Sequence, residues 1–142
     1  MNDELYMNIA IKEAKKGLKK EEIPVGAVIV KNGEVIAKSH NKRHRSNQVI
    51  DHAEIIAIKK ANKVMNNWRL EDCEIYITLE PCPMCASAIE QARIKRVITG
   101  AINKNEESRK ITNEILKKRE REFEVRKEES TILLDAFFKE KR

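Results

Sequence analysis

Apolar residues recur at helical spacing through Leu5, Tyr6, Ile9, Ala10, Ala14 and Leu18, with lysines on much of the opposite face. The pattern predicts an amphipathic helix over 5–18 that ends around Gly17 to Lys20. Val25-Gly-Ala-Val-Ile-Val30 then has the length and apolarity of a buried strand. Asn32-Gly33 after it is the strongest short hairpin signal and leads to a second strand through Val35-Ile36-Ala37. These two strands are expected to pair antiparallel. Residues 41–51 read as a polar, basic loop before a helix from about His52 to Ala61. Glu74 to Thr78 reads as a strand, Pro81 to Ala92 as a helix and Arg96 to Thr99 as a strand. A strand, helix, strand order implies a parallel pair with a right-handed crossover. The sheet is therefore expected to be mixed, with helices covering its faces.

The last third is different. Residues 103–121 are mostly charged, with only Ile111, Ile115 and Leu116 as an apolar stripe, so the segment is either an exposed helix or a partly ordered loop. The chain closes on a helix with Ser130 as cap candidate and an apolar face through Ile132, Leu133, Ala136 and Phe137. With no repeat and no low-complexity linker, 142 residues fit one domain, 1–142, around one core. No apolar run is long enough to span a membrane. The acidic start Met1-Asn2-Asp3-Glu4-Leu5 is unlike a secretory signal, so a cytoplasmic location is expected. A net charge of +6 permits a polyanionic partner, although a solvated surface of mixed charge accounts for it equally well.

Chemistry is concentrated in two short segments. Of the three cysteines, Cys73 is expected to be a buried thiol, and the other two form a C-x-x-C, which in a reducing compartment points to metal or redox chemistry. His52-Ala53-Glu54 and Pro81-Cys82-Pro83-Met84-Cys85 together offer one His and two Cys as zinc ligands, plus an unligated carboxylate. A structural zinc site closes its shell with four protein ligands, whereas a catalytic one keeps a position open. Pro81 suits a first helical turn, which would place Cys82 and Cys85 in that turn, where free backbone donors favour thiolates. His52 and Glu54 would point to nearly opposite faces inside a helix, so they converge only if His52 sits at or just before the helix start. H-x-E followed by P-C-x-x-C is the pattern of zinc nucleobase deaminases, in which the Glu shuttles protons and does not ligate. The roles of His52, Cys82, Cys85 and Glu54 follow from recognising that pattern. Such a reaction needs a water activated near neutral pH and a group that takes its proton and passes protons to the ring nitrogen and the leaving amine. A zinc-stabilised binding module without catalysis would instead need a fourth ligand and no Glu54. The basic run Lys42-Arg43-His44-Arg45 precedes the His helix; it meets phosphates near the pocket mouth, which makes Arg43 a candidate substrate-binding residue, or is merely solvated.

Pro24 to Val30, Asn41, His52 to Ile58, Asn67-Trp68-Arg69-Leu70, Tyr76 to Ala86, Ala92 to Val97, Gly100-Ala101 and the ending Phe137-Phe138-Lys-Glu-Lys-Arg142 resemble the bacterial tRNA-specific adenosine deaminases of the cytidine deaminase superfamily. The resemblance implies a three-layer α/β/α fold with a five-stranded mixed sheet, a homodimer, and one zinc ion per subunit on His52, Cys82 and Cys85. It also implies conversion of adenosine to inosine at the wobble position, with a tRNA anticodon arm or other single-stranded nucleic acid as partner. On that basis Asn41 hydrogen-bonds the flipped base, unless it caps the helix instead, and Phe138 packs near the target nucleotide. One stretch departs from the family. After Gly100-Ala101 the usual Asp-x-x-x-Gly-Ala-x-Gly-Ser is replaced by Ile102-Asn103-Lys-Asn-Glu-Glu-Ser-Arg-Lys110, without glycine. Asn103 stands where the family's Asp lies near the backbone of the target nucleotide. Loss of that carboxylate and of the tight glycine turns leads to the expectation of intact zinc chemistry with drifted recognition. Another RNA, single-stranded DNA, or a free nucleoside or base of guanine or cytosine type would be the substrate in that case. Pro83 between the cysteines also occurs in guanine deaminase relatives.

Overall fold

Asn32 and Gly33 both take positive φ, 49° and 77°, the type I′ geometry whose twist matches that of flanking strands. This turn folds strand β1 (Gly26–Lys31) antiparallel onto β2 (Glu34–His40). In the computed structural model, which describes residues 2–140, the other edge of β1 takes β3 (Cys73–Leu79), also antiparallel. Strands β4 (Arg96–Ala101) and β5 (Glu120–Glu122) then add in parallel. The sheet order β2-β1-β3-β4-β5 is the five-stranded mixed sheet expected. Met1 and the terminal Lys141-Arg142 of the resemblance lie outside the described residues.

Alternation along the strands divides the core into two layers. Ala27, Ile29, Ile75, Ile77 and Val97 face α3 (Ala53–Met65) and α4 (Pro83–Gln91), meeting Ala57, Ala61, Ala86 and Ile89. Val28, Val30, Tyr76 and Ile98 face the opposite way onto Met7, Ala10 and Ile11 of α1 (Asp3–Lys19). Helix α6 (Lys127–Glu140) packs beside α1 and β4, and α5 (Glu106–Ile115) lies against α4. The result is a three-layer α/β/α fold. Gly26 allows its closest contact, because a Cβ there would sit 1.9 Å from the Ala10 carbonyl oxygen.

Several boundaries differ from the expected ones for local reasons. Helix α3 continues past Ala61 to Met65 and stops where Asn66 turns left-handed, φ 50°. The 41–51 loop contains a one-turn helix, α2 (Arg43–Ser46). Of the two readings of 103–121, the helix is correct: Asn105 caps α5 by accepting from the Ser108 N–H. Thr112 is its buried residue and Leu116, the C-cap, is buried just beyond it, whereas Ile111 of the expected stripe is 46% exposed. Strand β5, made entirely of charged residues, was not anticipated. Helix α6 begins before Ser130, so that serine is buried within the helix and is not its cap; Ile132 and Ala136 are exposed, and Leu134 takes part in the packing.

The start of α1 is tied across the sheet. Asp3 accepts hydrogen bonds from Arg96, 2.6 Å at its shortest, and from the Tyr76 hydroxyl at 2.9 Å. The Arg96 guanidinium holds the Asp3 carboxyl below its usual range. A carboxylate lowered in the folded state stabilises above its unfolded pKa, about 3.9, and loses that contribution as pH falls through the folded value. Asp3→Asn is therefore expected to cost about 2 kcal/mol at neutral pH. Urea unfolding as a function of pH checks this: the gap between variant and wild type should close below about pH 4, and a gap that persists in acid would rule out the ion pair as its source.

Candidate active site

Helix α3 begins immediately after His52, which stands as its N-cap with extended backbone, φ −73° and ψ 153°. The ring is thereby freed from the helical phase, and Glu54 lies in the first turn, as convergence requires. Cys82 plays the same part for α4, φ −74° and ψ 169°, with Pro83 opening the helix. The helix thus starts later than the sequence pattern implied, and Cys85 alone of the two cysteines is in its first turn.

The three donors come together. His52 Nδ1 lies 3.8 Å from Cys82 Sγ and 3.5 Å from Cys85 Sγ. A zinc–nitrogen bond of about 2.0 Å and a zinc–sulfur bond of about 2.3 Å at a tetrahedral angle put N and S about 3.5 Å apart. The spacing therefore fits zinc without rearrangement. Among the described residues no fourth His, Cys, Asp or Glu joins the group, which fits a site with an open position and not a closed structural one.

The electrostatics agree. Its hydrogen bond with Cys85, and then His52, draw the Cys82 thiol down to about 4. The same bond and burial push Cys85 up, and the Cys82 thiolate pushes His52 up. The protein's own groups thus favour a thiolate at Cys82, and a bound dication would favour one at Cys85 as well. Burial raises the Glu54 carboxyl above its ordinary value, which favours a proton-carrying role. By contrast Cys73, 1% exposed, is the buried, raised thiol expected of a core residue.

A cavity of about 160 Å³ opens beside these groups, with Asn41, Arg43, Glu80 and Asn103 in its wall. Asn41 is both cap and pocket residue: its Oδ1 accepts from the Ala53 N–H at 3.0 Å, and its Nδ2 has no protein partner among the described residues. The turn that carries Arg43 is held through its neighbours by a carboxylate absent from the sequence reading. Glu22, 0% exposed, accepts from the backbone N–H of His44 at 3.1 Å and of Arg45 at 2.8 Å, and so fixes α2. Phe138 is not in this cavity; 49% exposed and edge-on to Phe137, it lines a separate groove with Lys20, His44 and Arg45. Glu80 was also missed. A signal existed for Glu80, since Leu79-Glu80-Pro81-Cys82 embeds a lone acid in apolar sequence and a buried acid must be paired, whereas Glu22 follows Lys19-Lys20-Glu21 and carries none.

Residues 1–101 match the cytidine and deoxycytidylate deaminase zinc-binding region, and the chain belongs to that family of zinc-binding hydrolytic deaminases. It is 46% identical over 146 residues to the tRNA-specific adenosine deaminase of Bacillus subtilis (strain 168), an alignment covering 99% of this chain and 91% of that one. A structure from work on A-to-I editing by tRNA:A34 deaminases at the wobble position of transfer RNA superposes with a TM-score of 0.84 at 36% identity, covering 91% of this chain and 98% of that one. The guanine deaminase of Bacillus subtilis is 42% identical with a TM-score of 0.70, covering 75% of this chain and 69% of that one. No helix among the described residues is long and apolar enough to cross a membrane.

Proposed function

We propose that this protein converts adenosine to inosine at the wobble position of a tRNA anticodon. In this reading residues 1–142 form one deaminase domain, working in the cytoplasm as a homodimer with one zinc ion per subunit. The observation that carries it is the triad of His52, Cys82 and Cys85 at tetrahedral zinc spacing beside a buried, proton-favouring Glu54. The tRNA assignment draws on the Bacillus subtilis relative, whose alignment runs through the rewritten 102–123 stretch to cover 99% of this chain. That alignment argues against drift to another substrate.

Zinc held by the triad supplies the acidity that makes water a nucleophile near neutral pH. The remaining steps belong to the chain. Asn41, with Oδ1 committed to Ala53, presents Nδ2 as a donor, which matches an acceptor nitrogen on a purine ring. Glu54 takes one proton from the attacking water and delivers it to ring N1 as C6 becomes tetrahedral; it then takes the remaining hydroxyl proton and passes it to the exocyclic amine, so that the C6–N bond breaks, ammonia leaves and the C6 carbonyl forms. Arg43, on a turn anchored by Glu22, meets a phosphate beside the cavity. Arg45 and Phe138, in the neighbouring groove, meet the flanking nucleotides.

A panel of tRNA, single-stranded DNA, nucleosides and free bases read by mass spectrometry tests the assignment. Inosine at the wobble adenosine is expected; xanthine from guanine with no inosine would overturn it in favour of the guanine deaminase type. In the same assay Arg43→Glu should raise KM for tRNA about tenfold at low salt and flatten its salt dependence. An unchanged KM at both low and high salt would show that Arg43 is only solvated.

A further inference from the structure

Glu80 immediately precedes the Pro-Cys-x-x-Cys segment, and its side chain is only 3% exposed. Its Oε1 accepts two hydrogen bonds of 2.8 Å, one from the backbone N–H of Asn103 and one from Arg109 Nε. Oε2 is buried without a partner. Among the described residues Arg109 is the charged hydrogen-bond partner of this enclosed carboxylate, so the pair is sensitive to loss of either member. Both donors lie in the stretch after β4 that lacks glycine. Two more bonds join the same stretches: Glu80 N–H to the Ala101 carbonyl at 2.9 Å and Thr112 Oγ1 to the Pro81 carbonyl at 3.0 Å.

Asn103 lies in the cavity wall, yet both ends of its amide serve the loop. Oδ1 accepts from the Asn105 N–H at 3.0 Å and Nδ2 donates to Ser108 Oγ at 3.2 Å. Where a glycine-bearing turn would set this backbone by its dihedral freedom, side chain to backbone bonds set it here. The Glu80–Arg109 ion pair holds the carboxylate that accepts from the Asn103 N–H.

We propose that Glu80 and Arg109 are positioning residues, whose ion pair fixes the backbone at Asn103 and with it the cavity wall that seats the substrate base against Glu54. The kinetic consequence rests on the deaminase reading above; the structural one does not. A shifted wall leaves the metal ligands untouched but misplaces the bound base, which lowers kcat more than it raises KM.

The test uses full-length, zinc-loaded Arg109→Ala, Arg109→Lys, Glu80→Gln and the Glu80→Gln/Arg109→Ala double variant. It reads zinc content, amide hydrogen exchange over residues 102–105, and kcat and KM on an anticodon stem-loop. Arg109→Ala should keep its zinc, exchange in that segment about tenfold faster, and lose about tenfold in kcat with KM nearly unchanged. Arg109→Lys should recover part of the loss, and the double variant should be no worse than either single one. Unchanged exchange in Arg109→Ala overturns the proposal, as does a fall in kcat that only tracks lost zinc. If wild type deaminates none of the panel, the functional reading fails, and the exchange result still decides the brace: faster exchange supports it and unchanged exchange overturns it.

Discussion

Glu54→Gln should lose about three orders of magnitude in deamination rate while keeping its zinc and its fold. Glutamine has nearly the same shape, so the first turn of α3 and the cavity wall remain filled. It carries no transferable proton, and the reaction needs one group to accept a proton from water and return protons to the ring nitrogen and the amine. Burial keeps bulk water from substituting, since Glu54 is 4% exposed. The fold should tolerate the change, because a neutral amide is cheaper to bury than a carboxylate whose ionisation burial already opposes. Ammonia release under single-turnover conditions and zinc content measured on the same sample make the check. Activity within about tenfold of wild type would mean that protons move through another group. Lost activity with retained zinc excludes the alternative of a zinc-stabilised binding module, for which Glu54 would be dispensable.

What was legible in the sequence divides along the range of the interactions. The Asn32-Gly33 hairpin, the apolar β1 run and the β3-α4-β4 unit are written in local turn chemistry and periodicity, and the sheet followed from them. The metal triad was legible by recognition of the H-x-E and P-C-x-x-C pattern; the structure adds that His52 and Cys82 each stand as the N-cap of a helix. Strand β5 was not, because Glu120-Arg121-Glu122 has no apolar alternation and joins the sheet through backbone pairing to β4. Its position depends on α5, a helix whose buried side carries Thr112 in place of the exposed Ile111. Glu22 and Glu80 were missed because their partners lie far along the chain, at Arg45 and Arg109. Asn41 shows the opposite limit. The sequence offers it two competing roles, cap and base contact, and the amide serves the first with its oxygen and leaves its nitrogen for the second.

His52→Ala and Cys82→Ala should each lose zinc and all measurable deamination, and should match chelator-stripped wild type in stability. Both residues are N-caps, yet neither side chain makes a capping bond to its helix. Removing them therefore subtracts a ligand without subtracting a cap, which would otherwise cost about 1 kcal/mol. Cys85 is a poorer test, since it is 0% exposed and its truncation adds a cavity to the loss of a ligand. With two ligands left, the site cannot compete for zinc, and the stabilisation that a bound metal gives the folded state disappears. At free zinc a thousandfold above the dissociation constant that is about 4 kcal/mol, or a fall in Tm on the order of 10 °C for a chain of this size. Added zinc should restore stripped wild type and leave both variants unchanged. A variant that keeps one zinc per chain, or that melts well below stripped wild type, would show that the residue holds the fold and not the metal.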